Sequence, residues 1–235
     1  MCWSETASVG MVAIGGAATA VTFLRGDPKA IWLAMGYFTA MEGLQALGYG
    51  FVDQCGAPEN RLITQLSYLH IAFQPLFINA FAMAIAPEPV PQRVQHRVYV
   101  LCALASAVLL FRLIPVEALG SCRPGDILCG ADWCLVSGDW HIGWAVPLND
   151  LWRTLSLPVQ FPLYMASVFL LPLIYGAWRF VVFHAVMGPI MALLLTDNPL
   201  EMPAIWCLFS IGLLIIGLSP VIRVRVFKAR HPLVT

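Results

Sequence analysis

LITQLSYLHIAFQPLFINAFAMAIA, residues 62–86, carries no Asp, Glu, Lys or Arg. At about 1.5 Å of rise per residue such a helix crosses the roughly 30 Å of bilayer hydrocarbon. Backbone groups in lipid must be satisfied within the segment, so the stretch reads as a transmembrane helix. Further apolar runs occupy 6–24, 30–52, 98–116, 158–178, 180–198 and 204–220. The chain of 235 residues is 60% hydrophobic and 11% charged, with a mean hydropathy of +0.79, which exceeds what a soluble domain of this size can hide. The expectation is an all-α polytopic membrane protein, a seven-helix transmembrane bundle over 1–220 followed by a basic inner tail, 221–235.

Charge placement gives the orientation. With the N-terminus outside, the inner loops and tail receive Arg25, Lys29, Arg93, Arg97, Arg179, Arg223, Arg225, Lys228 and Arg230, and the outer loops only Arg61, Arg123 and Arg153. The positive-inside rule then favours N-out, C-in. Arg112, near the outer end of the fourth span, is expected to snorkel. Cys2, Cys55, Cys122, Cys129, Cys134 and Cys207 all fall on or near the outer side, where a plasma or bacterial inner membrane permits disulfides. The formal net charge of zero leaves no basic surface for nucleic acid. The lipid bilayer is the expected partner, with a small polar ligand or ion inside the bundle. A homo-oligomer or an accessory role in a larger complex would use small-residue faces such as Gly10, Gly15 and Gly16.

Inside the spans the unusual residues are polar. Glu42 and Gln45 lie on the second span, His70 and Gln74 on the third, and each pair shares a helix face. Depth counted from the span ends sets Glu42 level with Gln74, and Gln45 level with His70, as two hydrogen-bonded rungs that Tyr49 and Ser67 extend outward. A charge at that depth is costly and marks a functional site by default, although Gln, Glu and His also serve as glue between helices. Asn79 is expected to cap backbone freed by Pro75, and His184 to be a packing group. The one long connection, 117–157, contains GDWHIGW at 138–144, suited to a lid or a stacking contact, and Trp152, expected as a headgroup anchor. A second set, His70, His141 and Glu201, supplies ligand types for a metal, zinc foremost, although no two imidazoles share a helix face.

The opening Met1-Cys2-Trp3-Ser4, the segment Tyr37-Phe38 with Met41-Glu42 and Leu44-Gln45, and the run Tyr68-Leu69-His70-Ile71 with Phe73-Gln74-Pro75 and Phe77-Ile78-Asn79 resemble a family of multi-pass membrane proteins of unknown function. Trp140-His141 and Trp206-Cys207 are weaker echoes. The resemblance implies the multi-pass fold and no activity. Other seven-pass families fit less well. Retinal proteins of the microbial type need a lysine in the last span, and 204–220 has none. Ceramidase-like hydrolases need histidines there, and small sugar transporters need a repeat of the Pro75 helix. His70 and His184 differ in depth by more than a turn, a poor pair for one haem. The expected function is binding, sensing or transport of a small polar molecule, ion or proton at Glu42, Gln45, His70 and Gln74. The alternative is a metal-dependent membrane hydrolase acting on lipid.

Overall fold

The computed structural model describes residues 3–157 and 159–227. Four helices come first: α1 (Glu5–Leu24), α2 (Lys29–Gly48), α3 (Pro58–Ala84) and α4 (Gln92–Phe111). The cap region follows, with strands β1 (Cys134–Ser137) and β2 (Ile142–Ala145) and the short helix α5 (Leu151–Thr154). The chain ends in α6 (Pro162–Ile174), α7 (Trp178–Leu195), α8 (Met202–Leu218) and α9 (Pro220–Phe227). Consecutive helices α1 to α4 pack side by side, and α8 returns against α1 and α2. Ala34, Met35, Phe38, Tyr68, Ala72 and Phe81 fill the space between them.

Among the described residues four helices, α1, α3, α4 and α7, are long and apolar enough to cross a membrane, and the bent pair α8–α9 makes a fifth if it is one span. That is fewer than the seven expected. Lys29, Glu42 and Gln45 dilute the apolar character of α2, and α6 is a shorter apolar helix. The reason for the second difference lies in the chain between 157 and 162. Phe161 adopts a left-handed backbone (φ 55°) and Pro162 opens α6, so helix begins only there. Widened π turns follow at Ala166–Leu170 in α6 and at Val186–Ile190, around Pro189, in α7. In α3, Asn79 donates to the Pro75 and Ser167 carbonyls at 2.9 and 2.8 Å, tying α3 to α6; the carbonyl that Pro75 leaves without its helical donor is that of Ile71, so Asn79 does not cap it as expected.

The fold is not wholly helical. β1 and β2 pair antiparallel, Cys134 opposite Ala145 and Ser137 opposite Ile142. A four-residue hairpin is marginal alone, and this one is completed on both edges. On one edge Asn60 brackets Leu135, accepting from its N–H at 2.9 Å and donating to its carbonyl at 2.9 Å. Asp53 accepts from the Ser137 N–H and hydroxyl. On the other edge the Trp144 backbone N–H donates to the Leu200 carbonyl at 3.0 Å. Gly143 makes that approach feasible, because a Cβ there would lie 2.9 Å from the Leu200 carbonyl carbon. Disulfides Cys55–Cys134 and Cys122–Cys129 staple the cap. Cys102 and Cys207 are buried free thiols, and Cys2 lies outside the described residues.

Several expectations change with packing. Trp152 is buried inside the protein instead of exposed as an anchor, and Arg112 is only 3% exposed instead of snorkelling. The Arg112 guanidinium lies over the Trp152 and Phe161 rings and donates to the Asn149 carbonyl. Gly15 is covered by Thr39 at the α1–α2 contact, whereas Gly10 and Gly16 stay open. At the end opposite the cap, Asp27 pairs with Arg25 at 2.5 Å and Arg223 at 2.8 Å. Burial alone would raise its carboxyl, but the two guanidiniums hold it below the ordinary range. Arg25 also donates to the Gly217 and Leu218 carbonyls, fastening the end of α8. Of the expected basic tail, 221–227 is helical; Lys228 and Arg230 lie outside the described residues.

Candidate functional site

Glu42 and Gln45 occupy one face of α2, and both are 1% exposed. The Gln45 carbonyl oxygen lies 2.7 Å from His141 Nε2, and the Tyr49 hydroxyl lies 2.8 Å from His141 Nδ1. A side-chain carbonyl can only accept, so Nε2 carries the proton and Nδ1 accepts from Tyr49. This is a neutral imidazole, and burial pushes the ring down to about 3. His141 is thus a plug reaching from the cap onto the end of α2.

Glu201 holds the plug in place. Its carboxylate accepts from the backbone N–H of Asp139 (3.0 Å), Trp140 (2.7 Å) and His141, and from the Thr196 hydroxyl (2.8 Å). Gly138 permits the approach, since a Cβ there would meet the Glu201 carboxyl carbon at 2.6 Å. Trp3 stacks on Trp140 and donates its indole N–H to Ser8, closing the outside of the plug.

Beneath it, Glu42 is alone. Neither of its buried carboxylate oxygens has a hydrogen-bond partner among the described residues, and the same holds for Gln45 Nε2 and Ser67 Oγ. Tyr37 is hydrogen-bonded to His70, and Gly48 lies against Ile63. That antiparallel register sets Ser67, not Gln74, level with Glu42.

His70 and Gln74 face elsewhere. His70 donates from Nε2 to the Tyr37 carbonyl at 2.7 Å, Tyr37 returns its hydroxyl to the His70 carbonyl at 2.5 Å, and the two rings stack. Gln74 accepts from Tyr164 at 2.6 Å and donates to Cys207 Sγ at 3.2 Å. The expected rungs Glu42–Gln74 and Gln45–His70 are therefore not formed. α3 starts at Pro58, four residues before the expected 62, so equal-depth counting misaligned the helices. The roles of Tyr37, Tyr164 and Thr196 had no sequence signal, because their partners come from distant segments. His184 is buried among Phe169, Phe180 and Trp206, a packing position.

The zinc set of His70, His141 and Glu201 is not gathered. Among the described residues no three His, Cys, Asp or Glu side chains are grouped to hold a metal ion. His70 and His141 spend their ring nitrogens on protein partners, and Glu201 spends both oxygens on the cap turn.

A capped assembly of apolar, membrane-length helices with polar groups sealed inside is the build of a multi-pass membrane protein. Residues 6–227 match the profile of a family of unknown function, DUF5765, and the chain belongs to that family. No curated protein and no solved structure matches it.

Proposed function

We propose that this protein binds, senses or passes a small polar species, an ion or a proton, at Glu42, beneath a removable plug. In this reading the membrane-length helices cross a plasma or bacterial inner membrane, N-out and C-in, with the cap outside and the basic tail from 221 inside. The observation that carries it is the Glu42 carboxylate, buried with both oxygens unpartnered. Such a group in hydrocarbon requires a proton, a cation or a donor-bearing ligand. Gln45 Nε2 and Ser67 Oγ supply free polarity in the same helix pair. His70 and Gln74 act at one remove, holding α2, α3, α6 and α8 in register around it.

The test is proton flux into vesicles loaded with a pH-sensitive dye, together with melting temperature as a function of pH. The wild type acidifies the lumen faster than empty vesicles and melts with a pH dependence that Glu42→Gln removes while still folding. Identical behaviour of wild type and variant in both measurements overturns the proposal.

A further inference from the structure

A cavity of about 370 Å³ lies between α3, α6, α7, α8 and the cap residues Ile127 and Leu128. Its walls are almost entirely apolar, formed by residues such as Ile71, Phe161, Met165, Pro189, Leu193 and Pro203. Where Gln74, Tyr164 and Cys207 reach it, they are already hydrogen-bonded to one another. Gln160 is likewise bonded to the Ile127 N–H and to Asp126, so among the described residues the walls offer water little beyond groups already paired.

Three observations bear on what it can hold. First, the cavity lies beside the start of α6, whose N-terminal residues Pro162–Met165 are preceded by the left-handed Phe161. A full span needs about 20 residues and α6 is a shorter apolar helix, so the non-helical Val159, Gln160 and Phe161 line the cavity where a longer helix would present a packed face. Second, its rim reaches the apolar surface, with Val159 49% and Leu193 60% exposed. Third, the walls are fixed: Phe161 lies under the Arg112 guanidinium at 4.8 Å, and Tyr164 is bound to Gln74. The hole cannot close by simple side-chain rotation.

We infer that this cavity is a binding site for the hydrocarbon chain of a membrane phospholipid, entering sideways past Val159 and Leu193. An apolar cavity of about 150 Å³ takes a benzene ring, so this volume takes on the order of a dozen chain carbons. The site complements a bundle in which one helix is short: the lipid chain supplies the contacts that a longer helix would make.

The experiment uses the full-length protein in phosphatidylcholine vesicles doped with a lipid carrying a diazirine on its acyl chain, with labelled peptides identified by mass spectrometry. Leu193→Trp fills the rim. Leu194→Trp is the control, because Leu194 is 74% exposed and outside the cavity lining. Label is expected to concentrate on 159–165 and 202–207 over the exposed α4 positions Leu101 and Leu104. It should fall several-fold in Leu193→Trp and persist in Leu194→Trp. Even labelling over all exposed apolar positions, or equal labelling of the two variants at any level, overturns the inference.

Discussion

Replacing Glu201 by alanine should unplug the cap. The carboxylate accepts from three backbone N–H groups and one hydroxyl, and it is fully buried. Hydrogen bonds to a charged group are worth about 1.5–3 kcal/mol each. The opened turn regains water, so the four do not add in full; the expected local cost is about 3–5 kcal/mol, as for other broken buried charge contacts. Glu201→Gln keeps one acceptor oxygen but turns a donor toward donors, and should fall between alanine and wild type. Hydrogen–deuterium exchange reads the effect directly, since three of the donors are the amides of Asp139, Trp140 and His141. At about 1.4 kcal/mol per tenfold, their exchange should speed by roughly 10²- to 10³-fold or more in Glu201→Ala, while the core of α3 keeps its protection. Exchange of 139–141 within about tenfold of wild type would refute the claim that this carboxylate anchors the plug.

Two further outcomes are expected. His141 is pushed down to about 3 in the folded cap against an ordinary value near 6.5. Between those values the opened cap binds the proton and the closed one does not. Plug stability is therefore full above pH 6.5 and is lost as pH falls toward 3, by up to about 1.4 kcal/mol per unit. Exchange of 138–145, corrected for its intrinsic pH dependence, should show this slope, and His141→Phe should flatten it; a slope retained in His141→Phe would assign the effect elsewhere. Of the two disulfides, Cys55–Cys134 spans 79 residues and Cys122–Cys129 spans 7. Loop-closure entropy then predicts a cost of about 4.5 kcal/mol for the serine pair at the first and about 2.4 kcal/mol at the second. Denaturant midpoints in mild detergent compare them, and the reverse order would show that the longer link does not restrain the unfolded chain.

The apolar segments could be read from sequence because a helix in lipid advertises itself through hydropathy alone. Glu42 stood out for the same reason, as a carboxylate in an apolar run. Its neighbourhood did not. The partner of Gln45 proved to be His141, which belongs to the long connection, and Gln74 was taken by Tyr164 and Cys207. Equal-depth counting failed because α3 begins at Pro58 and projects farther toward the cap than its hydrophobic run suggests. The hairpin was illegible: Cys134–Ser137 and Ile142–Ala145 are too short for alternation to show, and they exist as strands because Asn60 and Leu200 complete their edges. Trp152 resembled an interfacial anchor until the Arg112 guanidinium, itself buried, was found over its ring.

The two edges of that hairpin come from opposite ends of the chain, and this orders its assembly. Asp53 and Asn60 are synthesised before β1 and β2, so one edge and the Cys55–Cys134 link have their partners as soon as the strands emerge. Leu200 and Glu201 come roughly sixty residues later, after α6 and α7. The turn at 138–141 therefore waits without the Glu201 carboxylate until that residue has been delivered. Seating of His141 is in effect a report that the rest of the bundle has been threaded, and a chain arrested before residue 201 would expose that turn to proteases and chaperones.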